Sequence, residues 1–134
     1  MVVPNFVRQA LAEQPITVFG DGSQQRCFCH VADVVRALAD ITERDDAFGR
    51  VFNIGSNEEV SIRELAERVR ELTGSSSEIQ LVPYEEAYQA GFEDMVRRIP
   101  DLTKIKDTIG WAPTKRLAEI LEDVVANQRA GAPV

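Results

Sequence analysis

The hydrophobic positions of this chain fall into alternating helical and strand-like stretches. Phe6, Val7, Ala10 and Leu11 recur at helical spacing and predict a helix over residues 2–13. Pro4 falls in its first turn, where a missing N–H costs little, and Pro15 stops it. Residues 16–19 form a short apolar run that predicts a strand. Gly20-Asp21-Gly22 reads as a turn, and residues 26–28 as a second strand. Asp33 can cap a helix running to about residue 44, with Val34, Val35, Leu38 and Ile41 on one face. Residues 51–54 are an apolar run between Gly49 and Gly55, the pattern of a buried parallel strand. Ser61-Ile62-Arg63-Glu64 is a capping box. It opens an amphipathic helix that carries Ile62, Leu65, Ala66, Val69 and Leu72 and ends at Gly74.

The second half continues the pattern. Residues 78–82 predict another strand and residues 85–90 a short helix. Asp101 can cap a helix over 102–109 that Gly110 terminates, and Trp111-Ala112-Pro113 reads as a turn with an aromatic anchor. The last helix, about 117–130, turns Leu117, Ile120, Leu121, Val124 and Val125 inward. The fold class is a mixed, helix-rich α/β domain with short strands. A hairpin fits only the turn at 20–25. The strand at 51–54 looks apolar on both faces and asks for neighbours that this chain hardly offers.

With 134 residues the chain is one domain's worth of material, and its ordinary apolar and charged fractions argue against disorder. No apolar run approaches the ~20 residues of a membrane span, and no secretory pattern opens the chain, so a cytoplasmic protein is expected. A net charge of −7, with Lys and Arg scattered among more numerous acids, argues against nucleic acid as the partner. The local exceptions are Arg97 with Arg98, and Lys104 with Lys106. Cys27 and Cys29 stand too close on one strand for an unstrained disulfide. With His30 they make at most three metal ligands, so they read as reduced, half-buried thiols, and no metal is expected.

Gly20-Asp21-Gly22 lacks the third glycine of a dinucleotide fingerprint and leads into a strand, which rejects a Rossmann phosphate loop. Neither Tyr84 nor Tyr88 has a lysine four residues on, so the chain has no Tyr-x-x-x-Lys pair, and no catalytic residue is assigned. The turn can still bring backbone amides and the Arg26 guanidinium to a small anion. Arg26 either pairs with Asp21 or Asp33 or offers its fork to a diphosphate. Arg98 with Asp101 is either a helix cap with a nearby charge or a phosphate and sugar-hydroxyl contact. Asn53 either satisfies its turn or faces a ligand at a strand's C-terminal end.

These elements occur together in one family. The order Pro-x-Phe helix, Ile-Thr-Val-Phe-Gly-Asp-Gly-Ser-Gln-Gln-Arg, Val-Ala-Asp-Val-Val, Val-Phe-Asn-Ile-Gly, Ser-Ile-Arg-Glu-Leu-Ala, Arg-Arg-Ile-Pro-Asp and Ile-Gly-Trp-Ala-Pro closely resembles the C-terminal half of extended short-chain dehydrogenases acting on nucleotide sugars. These are the NAD-dependent epimerases, 4,6-dehydratases and UDP-glucuronate decarboxylases, and the likeness runs from about Val2 to Ala126. The resemblance implies one nucleotide-sugar-binding domain over 1–134, without the N-terminal Rossmann half, and with strand 51–54 belonging to the parent sheet. It implies that Thr17, Val18 and Phe19 line the base, that Arg26 and Arg98 hold the diphosphate, that Asp101 sits by the ribose or orients Arg98, and that Asn53 faces the phosphates. The implied ligand is a UDP- or dTDP-sugar. NAD serves the intact enzyme through the half not present, and none is expected on this chain alone.

The sequence also departs from the family pattern. His30 stands where relatives often carry tyrosine, Cys27 where some carry aspartate, and Ile99 where a basic residue is frequent. A family asparagine upstream of the first helix would fall before Met1. The expected protein is therefore a truncated, catalytically inactive substrate-binding portion, with exposed apolar surface around 34–44 and 51–54 that favours homo-oligomers. The alternative is a freestanding nucleotide-sugar-binding or scaffold protein without catalysis.

Overall fold

The computed structural model describes residues 1–84 and 95–131. The expected helix at 85–90 lies outside the described residues. In order, the elements are α1 (Val2–Leu11), β1 (Ile16–Phe19), β2 (Gln25–Cys27), α2 (Val31–Thr42), a 3-10 turn (Asp45–Ala47), β3 (Glu59–Ser61), α3 (Ile62–Thr73), β4 (Ile79–Val82), α4 (Thr103–Ile109) and α5 (Leu117–Arg129). They divide into two compact units. One comprises Met1–Arg26, Val60–Arg97 and Leu121–Val134, and the other Cys27–Glu59 and Arg98–Ile120.

The first unit is built on β1 with α1 and α3 packed on it. β1 pairs in parallel with β4, Ile16 opposite Ile79 and Phe19 opposite Val82. The hairpin expected at 20–25 therefore does not form, and β2 pairs instead with β3. Parallel pairing needs a long crossover, and α3 lies within it. Val3, Phe6, Val7 and Ala10 of α1 bury against Ile16 and Val18 of β1 and against Leu65, Ala66 and Val69 of α3. Leu72, expected inward, is exposed.

The capping box at the start of α3 works from its serine side. Ser61 Oγ accepts from Glu64 N at 3.1 Å, while the Glu64 carboxylate accepts from Arg68 one turn on. Two more amides of that helix end are taken by the glycine turn: Ile62 N donates to Gln24 O at 3.1 Å and Arg63 N to Gly22 O at 3.0 Å. Gly22 has φ +75°, and a Cβ there would meet Arg63 Cβ at 2.9 Å, so the turn is open only to glycine. Ser61→Ala is expected to cost about 1 kcal/mol, a melting-temperature loss of about 4 °C by calorimetry.

The second unit has its own small core. Ala37, Ile105 and Trp111 are buried, with Cys29, Ile41, Phe52, Ile54, Leu102 and Ile109 packed on them. Asp33 is not the cap of α2. His30 is, its Nδ1 accepting from Ala32 N at 3.0 Å. Asp33 sits in the first turn of α2, buried, and its carboxylate accepts from Thr114 N and Lys115 N at 2.9 Å, from Thr114 Oγ1 at 2.8 Å and from Arg36 at 2.9 Å. Its own carbonyl accepts from Trp111 Nε1 at 3.1 Å. The inward face of α2 thus runs through Asp33 and Ala37, and Val35 and Leu38, expected on the buried face, are exposed.

Residues 51–58 form no strand, and Val51 is 81% exposed. An apolar run becomes a strand only when a neighbour completes its ladder, and here none of the described residues does. α4 ends at Gly110 as expected, with φ +70°.

Candidate functional site

In the first unit the four residues named by the resemblance fall on β1 and β2. Val18 is wholly buried, so its side chain serves the core and not a ligand. Thr17 is half-buried and Phe19 is 36% exposed. Ile16 N and Gly20 N donate to Glu78 O and Val82 O at 2.8 Å. The alternation of a parallel strand therefore turns the peptide groups of Thr17 and Phe19 to the opposite edge. Two glutamines hold that edge. Gln9 Oε1 accepts from Thr17 N at 3.2 Å while Gln9 Nε2 donates to Thr17 Oγ1 at 2.9 Å. Gln24 Nε2 donates to Phe19 O at 2.9 Å and to the Tyr84 hydroxyl. Sequence reasoning missed both glutamines, because nothing in a polar loop or a helix surface marks them as braces.

Arg26 is half-buried, and its Nη1 donates to the carbonyls of Gln25 at 2.8 Å and Met95 at 2.7 Å. The two carboxylates that the sequence offers it are engaged elsewhere. Asp21 accepts from Ser23 N at 2.9 Å and Ser23 Oγ at 2.7 Å, and Asp33 holds the 114–115 backbone. Part of the glycine turn is engaged within the fold. Gly20 N and Ser23 N are spent within the fold, and the Gly22 and Gln24 carbonyls cap α3.

In the second unit the structure brings Asn53 and Asp101 together: Asn53 Nδ2 donates to Asp101 O at 3.2 Å. Gly55 makes this approach possible, since a Cβ there would meet Pro100 Cγ at 2.7 Å. Asp101 Oδ1 accepts from Thr103 N at 2.9 Å, and Thr103 holds its carboxyl below the ordinary carboxylate range. The N-cap of α4 is Leu102, so Asp101, expected as the cap, stands one residue before it and takes only the first helical amide. Arg98 is exposed and forms no ion pair with Asp101, so Asp101 does not orient it. Lys104 donates to Val51 O at 2.7 Å, and Lys104 and Arg50 both stand over the Phe52 ring, at 5.2 and 5.3 Å from its centre. The second unit thus has exposed cations and an exposed carboxamide on neighbouring segments, groups suited to an anionic, hydroxyl-bearing ligand.

Cys27 and Cys29 are in no disulfide and are half-buried. Burial, with the charge of Asp33, pushes the Cys29 thiol above its ordinary value, the reverse of an activated nucleophile. The Gly20–Gly22 turn is not built as a dinucleotide phosphate loop: it leads into β2 and gives carbonyls to the start of α3, where such a loop would present amides at a helix start. Among the described residues no helix is long and apolar enough to cross a membrane.

Comparison with known proteins bears on these features. The family model for GDP-mannose 4,6 dehydratase matches residues 1–124. The UDP-N-acetyl-alpha-D-glucosaminuronate decarboxylase of Bacillus cytotoxicus is 41% identical over 92% of this chain, which spans 38% of that protein. The UDP-glucose 4-epimerase of Thermotoga maritima, solved with UDP-glucose, superimposes with a TM-score of 0.86 at 32% identity, over 98% of this chain and 40% of that one. The UDP-glucuronic acid 4-epimerase of Bacillus cereus, solved with UDP-glucuronic acid and NAD, gives 0.82 at 25% identity, over 96% and 40%. The chain therefore spans about two fifths of the length of these relatives.

Proposed function

Since this chain belongs to the GDP-mannose 4,6 dehydratase family of extended short-chain dehydrogenases acting on nucleotide sugars, we propose that it is the nucleotide-sugar-binding portion of a cytoplasmic, NAD-dependent epimerase, dehydratase or decarboxylase. The observation that carries this reading is Arg98. Arg98 is exposed with no partner among the described residues, three positions before Asp101 in the chain. In the proposed role Arg26 and Arg98 bind the diphosphate, Asn53 and Asp101 serve the phosphates and ribose, and Thr17 and Phe19 serve the base. Val18 contributes by holding β1 in the core.

The sequence has neither a dinucleotide loop nor a Tyr-x-x-x-Lys pair, so binding without turnover is expected. A UDP-sugar and NAD added to the purified chain should return unconverted sugar by chromatography; steady conversion would sink the proposal. Calorimetry with UDP tests the binding half. Arg26→Ala and Arg98→Ala are each expected to weaken UDP by about ten-fold or more, the lower end of a charge-assisted bond's 1.5–3 kcal/mol. No heat with the unaltered chain at millimolar UDP counts against the reading.

A freestanding binding or scaffold protein predicts the same UDP binding. It parts from the first reading in needing no catalytic partner polypeptide.

A further inference from the structure

The peptide groups of residues 51–54 are almost all unused. Among the described residues no backbone N–H of Val51, Phe52, Asn53 or Ile54 has a hydrogen-bond partner. Of their carbonyls only that of Val51 is taken, by Lys104 at 2.7 Å. Phe52 and Ile54 meanwhile pack their side chains on the core of Ala37, Ile105 and Trp111, while Val51 and Asn53 are exposed. An apolar run with one face on a core and its backbone unpaired is a sheet edge without its neighbour. Peptide groups alternate between the two edges of an extended run, so Phe52 and Ile54 share one edge and Val51 and Asn53 the other. Lys104 occupies part of the second edge, and the first is whole.

Charge is graded along the same run. Arg50 and Lys104 stand at its start, both over the Phe52 ring. Asp101, tied to Asn53, and Glu58 and Glu59 lie towards its end. A parallel copy of the run would set like charge beside like, whereas an antiparallel copy sets the cations of each beside the carboxylates of the other. We propose that a second copy of this chain docks here, the two runs pairing antiparallel about a two-fold axis at Asn53. Phe52 then faces Ile54 of the other copy, and each such pair exchanges both of its N–H···O bonds. The contact uses the same patch on both copies, so it closes at a dimer. A two-stranded ribbon alone is marginal in water. Phe48 and Val51, with Val31, Val35 and Leu38 of α2, are exposed in the same unit and supply the apolar area that the ribbon lacks.

The test uses the whole chain. Sedimentation should give the mass of one chain at micromolar concentration and approach that of two at millimolar. Over the same range hydrogen exchange at the Phe52 and Ile54 amides should slow about ten-fold, with the Asn57 amide unchanged. Asn53→Cys should cross-link to its counterpart under glutathione disulfide, because facing residues of a non-hydrogen-bonded pair come within disulfide reach, and Asn57→Cys should not. A chain that stays monomeric overturns the proposal and leaves this edge to the sheet of another polypeptide. A dimer whose Phe52 and Ile54 amides exchange equally fast at both concentrations overturns it as well, since the copies then meet elsewhere. So does a folded Asn53→Cys that links no faster than Asn57→Cys. Should Asn53→Cys fail to fold, the exchange rates of the unaltered chain decide. UDP affinity is a separate property, so loss of the dimer leaves the nucleotide-sugar reading standing.

Discussion

Asp33→Ala is expected to lower unfolding stability by about 3–5 kcal/mol, read from chemical denaturation of the purified chain. The carboxylate accepts from two consecutive backbone amides, a hydroxyl and a guanidinium, all within 2.9 Å. Alanine would leave the Thr114 and Lys115 amides without acceptors and loosen the turn that seats Trp111. Asp33→Asn keeps the shape and loses the charge, and should fall between the two. Burial alone would raise the Asp33 carboxyl. The Lys115 amide, the Arg36 guanidinium and Thr114 outweigh it and hold the group well below the ordinary carboxylate range. A depressed carboxyl stabilises the fold at any pH above its unfolded value of ~3.9 and loses that contribution as pH falls towards its folded value. Melting temperature should therefore drop steeply below about pH 4 in the unaltered protein, and less steeply in Asp33→Asn. Parallel slopes would show that Asp33 is not the group responsible.

Self-association is the second large effect expected. Val31, Val35 and Leu38 lie along one side of α2, each more than half exposed, and Phe48 and Val51 stand exposed in the same unit. Covering three such side chains on each of two copies yields about 5–9 kcal/mol gross. Association costs about 4–15 kcal/mol in lost freedom, so a weak dimer at high concentration is the expected outcome. Light scattering should show mass rising with concentration, and Val35→Asp with Leu38→Asp should return a monomer without lowering the melting temperature. A strictly monomeric unaltered chain at high concentration would remove the homo-oligomer from the proposal.

What the sequence made legible is what local spacing encodes. α1, α3 and α5 were predicted within a few residues because their apolar stripes and caps are local, and β1 because its apolar run sits between a proline and a glycine turn. The pairing of β1 with β4 was not legible, since its partner lies more than sixty residues away and the glycine turn suggested a hairpin. Asp33 and His30 are both acceptable helix caps by type. Only the distant Thr114–Lys115 amides decide that aspartate turns inward and histidine takes the cap. On α2 the apolar residues mark two faces, and periodicity alone placed Ile41 correctly but turned Val35 and Leu38 inward, where they are exposed. Of the site, neither the bond from Asn53 to the Asp101 carbonyl nor the glutamines that hold β1 carry a local signature.

The chain has one tryptophan, and it is 1% exposed beside Ala37 and Ile105. Its emission is an intrinsic reporter of residues 27–59 and 98–120 alone, whereas far-ultraviolet ellipticity sums the helices of both units. Unfolding curves from the two signals superimpose only if the units melt as one cooperative body. A gap between them would measure, without any label, how independently the two units stand.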